Sequence, residues 1–87
     1  MEKYCAIACQ KYDYIELACI RCYPLTIEIK HEGICHGKAL TTETRADKSE
    51  WLVIETVSQR RSIRLDQIIA ITPKVEGAEF GRIEMTS

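Results

Sequence analysis

The chain has no long apolar run, no surplus of either charge and few aromatic rings, and each shortage closes off a class of function. Nowhere in its 87 residues does an apolar stretch approach the roughly 18 residues of a membrane-spanning helix. Twelve Lys and Arg face thirteen Asp and Glu, a formal net charge of -1, so no global positive field draws the chain onto nucleic acid or an anionic membrane. Aromatic residues make up 7%, with one Trp and one Phe, which leaves little for a base-stacking platform. The four glycines form no phosphate-cradling loop, and Ser49, Ser58, Ser62, Ser87, His31 and His36 lie in no nucleophile-elbow context. With so little chain there is scant room for a substrate pocket of the usual few hundred Å³, roughly. The expectation is a regulatory or binding protein, not an enzyme, with no catalytic residue, cofactor or small-molecule substrate.

The composition is that of a folding chain. A hydrophobic fraction of 46% with 29% charged residues lies far from the disordered regime, and the length suits one domain over residues 1–87. The stretch from Met1 to Ala8 lacks the basic-then-apolar layout of an export signal, which points to the cytoplasm. Cys5, Cys9, Cys19, Cys22 and Cys35 are odd in number and follow no such signal, so reduced thiols are expected rather than a disulfide framework. Cys19, Cys22 and Cys35 with His31 or His36 offer soft zinc ligands, yet the second tight ligand pair is missing; small buried cysteines are the plainer reading. As a redox pair, Cys19 and Cys22 fall at a helix C-terminus, where the dipole raises thiol pKa.

Asp13 followed three residues later by Glu16 has the spacing of a capping box, which predicts a helix over about 13–22, ended by Pro24. Ile15, Ala18, Cys19 and Cys22 share one face of it. Beyond Pro24 the period becomes two: Leu25, Ile27 and Ile29 alternate with polar residues, which predicts a half-buried strand. After a turn at 31–33, a long strand over 34–44 contains Gly37, a candidate bulge or sharp bend. Residues 45–49 read as an exposed loop. The segment 51–57 is apolar on both faces and reads as the central strand, with Trp51 in the core. Shorter strands follow around 62–66 and 67–72. The tail over 73–87 has an alternating piece with no assignable partner. One helix and about five bent strands predict a mainly β fold, a small closed or nearly closed barrel.

Two patches stand out. Arg60, Arg61 and Arg64, with Lys74, form a candidate phosphate-binding patch, the basis of an RNA-binding reading; its plain alternative is a solvated hairpin. Tyr12, Asp13, Tyr14 and Glu16 crowd two tyrosines and two carboxylates at the helix start, a surface suited to a basic partner, against the plain alternative of capping and packing.

The residues Tyr4, Ile7, Cys9, Tyr12-Asp13, Glu16-Leu17-Ala18-Cys19, Leu25-Thr26, Glu28, Lys30, Gly33, Lys38-Ala39, Arg45, Glu50, Leu52-Val53, Glu55, Arg64-Leu65-Asp66 and Ile68 resemble the bacterial Rho-specific antiterminators of the Rof (YaeO) family. The resemblance implies an Sm-like fold, a helix on a strongly bent five-stranded barrel. It also implies binding to the hexameric helicase Rho near its primary RNA-binding sites, so that the protein competes with RNA rather than binding it and blocks transcript loading. Carried over, the contact residues are Asp13 and Glu16, with Tyr12, Tyr14, Arg45 and Lys48. Cys5, Cys22 and Cys35 lie outside the pattern, and the 46–49 loop is about one residue longer than the family's.

Overall fold

The computed structural model describes residues 7–85; Tyr4, Cys5 and Ser87 lie outside them. Helix α1 spans Cys9–Arg21, four residues earlier than the capping-box spacing indicates. Ala8 is its N-cap, in extended conformation and without a side-chain cap, and its carbonyl accepts the amides of Lys11 and Tyr12. Asp13 and Glu16 therefore sit inside the helix, because Gln10 and Lys11 ahead of them are good helix formers and carry its start back to Cys9. The helix stops where Cys22 turns left-handed at φ 53°, its amide and that of Tyr23 bonding back to Cys19 and Ala18, and Pro24 opens the first strand.

Six strands follow, β1 (Pro24–Ile29), β2 (Gly33–Thr44), β3 (Glu50–Glu55), β4 (Arg60–Arg64), β5 (Ile68–Pro73) and β6 (Ile83–Glu84). They form one antiparallel sheet in the order β4-β3-β2-β1-β5-β6. Although β4 and β5 stand on opposite sides of β1, only the short 3-10 turn Leu65–Gln67 joins them, so the sheet must curl back on itself. Register shifts at Glu28/Ile29 and between Ala39 and Thr41 supply the bend. The mainly β class with one helix is as expected; the bent barrel, expected closed or nearly closed with five strands, is an open curled sheet with a sixth strand, and no ladder joins β4 to β5.

Leu25, Ile27 and Ile29 all point inward, as their alternation requires. They meet Ile15 and Ala18 of α1, Leu52 and Ile54 of β3, and Leu65, Ile68 and Ile71 in one core. The bulge falls at Leu40, not at Gly37. A side chain at Gly37 would put Cβ 2.7 Å from Ile54 Cδ1 and 3.2 Å from the Glu55 carbonyl oxygen, so glycine there admits Ile54 to the core.

Two expectations about β3 are corrected. It lies next to the edge strand rather than at the centre, and Val57 is wholly exposed in the turn beyond it. Trp51 is only half buried, because Leu52 and Ile54 take the inward positions and put Trp51 on the other face.

The tail finds its partner in β5, where Ala70 opposes Glu84 and Ile71 opposes Ile83. On the way it straps α1 to the sheet. Phe80 packs edge-on to Tyr14 at 5.1 Å and to Tyr23 at 5.9 Å between centroids. Arg21 Nε donates to Glu79 Oε1 at 2.7 Å, and the Glu79 amide donates to Tyr23 Oη at 3.1 Å. Among the described residues no helix is long and apolar enough to cross a membrane.

Candidate functional site

With about 100° between successive residues, α1 can present only part of the 12–16 cluster on any one side. Ile15 and Ala18 face the core, fully buried, so Asp13 points away from it to solvent. Glu16 falls on one flank and Tyr14 on the other. The four candidates thus divide: Tyr12, Asp13 and Glu16 lie toward β2 and β3, while Tyr14 leans on Phe80.

Tyr12 is half buried, and its hydroxyl donates to Thr42 Oγ1 at 3.3 Å, fixing the ring against β2. Beside it Ile7, Cys9, Asp13 and Glu50 complete a shallow groove of about 340 Å³. A second groove of about 280 Å³ continues along the helix, lined by Glu16, Cys19, Ile20 and Leu40 to Thr42. Both contain carboxylates, and among the described residues neither contains a basic side chain.

Arg45 and Lys48 sit at the tip of the β2–β3 hairpin, whose closing pair Thr44–Glu50 is next to these grooves. The tip is tightly built. Asp47 Oδ1 accepts both the amide of Ser49, at 3.0 Å, and its hydroxyl, at 2.6 Å. The buried Ser49 Oγ in turn accepts the Trp51 indole N–H at 2.8 Å. These bonds from Ser49, with Arg64 nearby, hold the Asp47 carboxyl below the usual carboxylate range. Arg45 stacks its guanidinium 3.7 Å over the Trp51 ring and reaches Glu43 at 3.1 Å. Lys48 is exposed in the left-handed region, at φ 69°. Trp51, Glu50 and Thr42 are the parts that sequence reasoning missed. The outward place of Trp51 was readable from the alternation with Leu52 and Ile54.

Of the basic patch, Arg61 and Arg64 line one groove together with Lys30, but both arginines are held in ion pairs. Arg64 is buried and makes a bidentate pair with Asp66, at 2.8 and 2.7 Å. Arg61 pairs with Glu32, which raises its pKa further, and Lys74 follows β5, several strands away from β4.

Among the described residues no three His, Cys, Asp or Glu side chains converge on a common point. Cys9, Cys19, Cys22 and Cys35 are free thiols. Burial, reinforced by Cys22 and Glu16, pushes the Cys19 thiol up to about 11. A brief alkylation at pH 8 read by mass spectrometry should label the exposed Cys9 and Cys22 well before Cys19; equal rates would contradict this protection. Because the folded pKa of Cys19 is raised from 9.0 to about 11, the protonated thiol favours the fold below pH 9. That contribution fades as pH rises from 9 through 11, a loss absent from Cys19→Ala.

Comparison with known proteins now bears on this surface. The family model described as modulator of Rho-dependent transcription termination (ROF) matches residues 6–85. The protein rof of Escherichia coli strain K12 is 35% identical over 71 residues, 82% of this chain and 83% of that protein, and rof of Shigella flexneri matches equally. The solved structure of YaeO bound to magnesium from Vibrio cholerae O395 is 27% identical, with a TM-score of 0.76 over 84% of this chain and 95% of that one. By the family model and by this identity the chain belongs to the Rof family, the modulators of Rho-dependent transcription termination.

Proposed function

We propose that this chain is a cytoplasmic, non-enzymatic antiterminator, a single Sm-like domain that binds Rho at or near its primary RNA-binding sites and blocks loading of the transcript. The observation that carries the reading is the α1 flank, where Tyr12, Asp13 and Glu16 adjoin Glu50 along two grooves that hold no basic side chain among the described residues. A surface that binds RNA phosphates is basic, and carboxylates compete for the same cations. A tyrosine can enter the apolar slots in which bases stack. In this reading Arg45 and Lys48, on the neighbouring hairpin tip, touch the acidic margin of the same partner, and Tyr14 adds its exposed edge. The ion pairs of Arg61 and Arg64 weigh against direct RNA binding by β4.

The test is size-exclusion chromatography of the purified protein with Rho, with and without a pyrimidine-rich RNA. Co-elution that RNA displaces is the expected result. A complex that RNA leaves intact would overturn the competition, and no complex at micromolar concentrations would overturn Rho as the partner.

A further inference from the structure

Ile20 stands 75% exposed in the last turn of α1, seven residues after Asp13 and four after Glu16, and so on the same stripe of the helix. An aliphatic side chain this bare contributes little to the fold. Opposite it the sheet does something unusual: β2 slips register between Ala39 and Thr41, leaving Leu40 as the extra residue. Ala39 keeps the inward, fully buried position, while Leu40, half buried, lines the groove that Ile20 overhangs. The groove runs on to Thr42, and the Tyr12–Thr42 hydrogen bond forms the wall it shares with the groove of Asp13 and Glu50. The α1–β2 seam therefore presents carboxylates at one end and two aliphatic side chains at the other.

We propose that Ile20 and Leu40 form an apolar subsite of the Rho-binding surface, taking an exposed aromatic or aliphatic side chain of Rho that lies beside the cations engaged by Asp13 and Glu16. The assignment rests on the Rho-binding reading above. Its chemistry follows from what a single-strand RNA site must offer, which is cations for phosphates and apolar faces for bases, side by side. A competitor that meets only the cations leaves the apolar faces hydrated. The seam matches both halves, since the charges on its described lining are the carboxylates of Asp13, Glu16 and Glu50 and its apolar patch is adjacent rather than remote.

Titration of Rho with Ile20→Ala should show affinity about tenfold weaker, the value of burying one aliphatic side chain. Its melting temperature should not fall, because the site is exposed and Ala is the better helix former. Ile20→Leu should keep near-parental affinity, and Leu40→Ala should weaken binding in the same direction. The salt dependence of binding should stay parental in Ile20→Ala but flatten in Asp13→Asn/Glu16→Gln, which separates an apolar contact from a charged one. A benzophenone photo-crosslinker placed at position 20 should capture Rho, while the same group at Val57, on the β3–β4 turn, should not. A parent chain that binds Rho while Ile20→Ala binds equally well, or crosslinks at position 57 and not at 20, overturns the subsite alone. A parent chain that forms no complex overturns the Rho-binding reading and the subsite together.

Discussion

Asp66→Ala is expected to destabilise the protein by about 3–5 kcal/mol, the cost of removing the bidentate partner of a buried guanidinium. Arg64 ends β4 and Asp66 lies in the following 3-10 turn, so residues two apart in sequence direct their side chains into one buried spot. Both side chains are less than one-tenth exposed, and the pair is bidentate. Gln67 Nε2 donates to the same carboxylate at 3.3 Å. Removing that carboxylate leaves a guanidinium with almost no access to water. Domains of this size hold only about 5–15 kcal/mol of net stability, so the loss is a large share of it. Urea denaturation followed by circular dichroism measures it directly. The double variant Arg64→Met/Asp66→Leu should recover most of the midpoint, because replacing both members by apolar groups of similar size removes the stranded charge. If Asp66→Ala melts like the parent, the pair is not what joins β4 to β5.

The second large effect is on binding. Asp13→Asn combined with Glu16→Gln should weaken the Rho complex by about 2–5 kcal/mol, the range for charged pairs desolvated at an interface. The amides keep the shape and most of the hydrogen-bonding capacity of the carboxylates and remove only the charge. Fold and contact separate cleanly here, because α1 begins at Cys9 and neither residue caps it. Thermal melts of the double variant should therefore overlay those of the parent within about 0.5 kcal/mol, as expected for exposed positions. Isothermal titration with Rho supplies the other half, and parental affinity in the double variant would end the idea that these carboxylates stand in for phosphates.

Much of the fold was readable because its strands bury one face. Leu25, Ile27 and Ile29 announced β1 by alternation alone, and residues 45–49 announced a loop by their polarity. What failed did so for local physical reasons. The Asp13–Glu16 spacing fits a capping box, but the helix-forming residues before it carry the helix back to an uncapped Ala8. Trp51 looked like core because its strand is apolar throughout, yet its polar N–H is served by Ser49 and its ring by Arg45. Barrel closure depends on whether β4 and β5 meet, a long-range question on which no residue pattern bears. The burial of Arg64 was hidden for a similar reason: its partner is a near neighbour, but the turn that brings them together is set by the core residue Leu65 between them. Of the candidate site, the acidic half stands out in the sequence as the Tyr12–Glu16 cluster, whereas the groove beside Ile20 depends on how β2, with its bulge at Leu40, lies against α1.

The strap formed by the tail gives this small fold an order of events. Glu79 reaches Arg21 across 58 positions and Tyr23 across 56, so the contacts that brace α1 are among the most distant in the chain. Such contacts close late, since the loop entropy must be met before they form. On a ribosome, the helix leaves the exit tunnel well before Phe80 arrives to brace it. The helix that carries Asp13 and Glu16 is thus made well before the segment that braces its opposite flank.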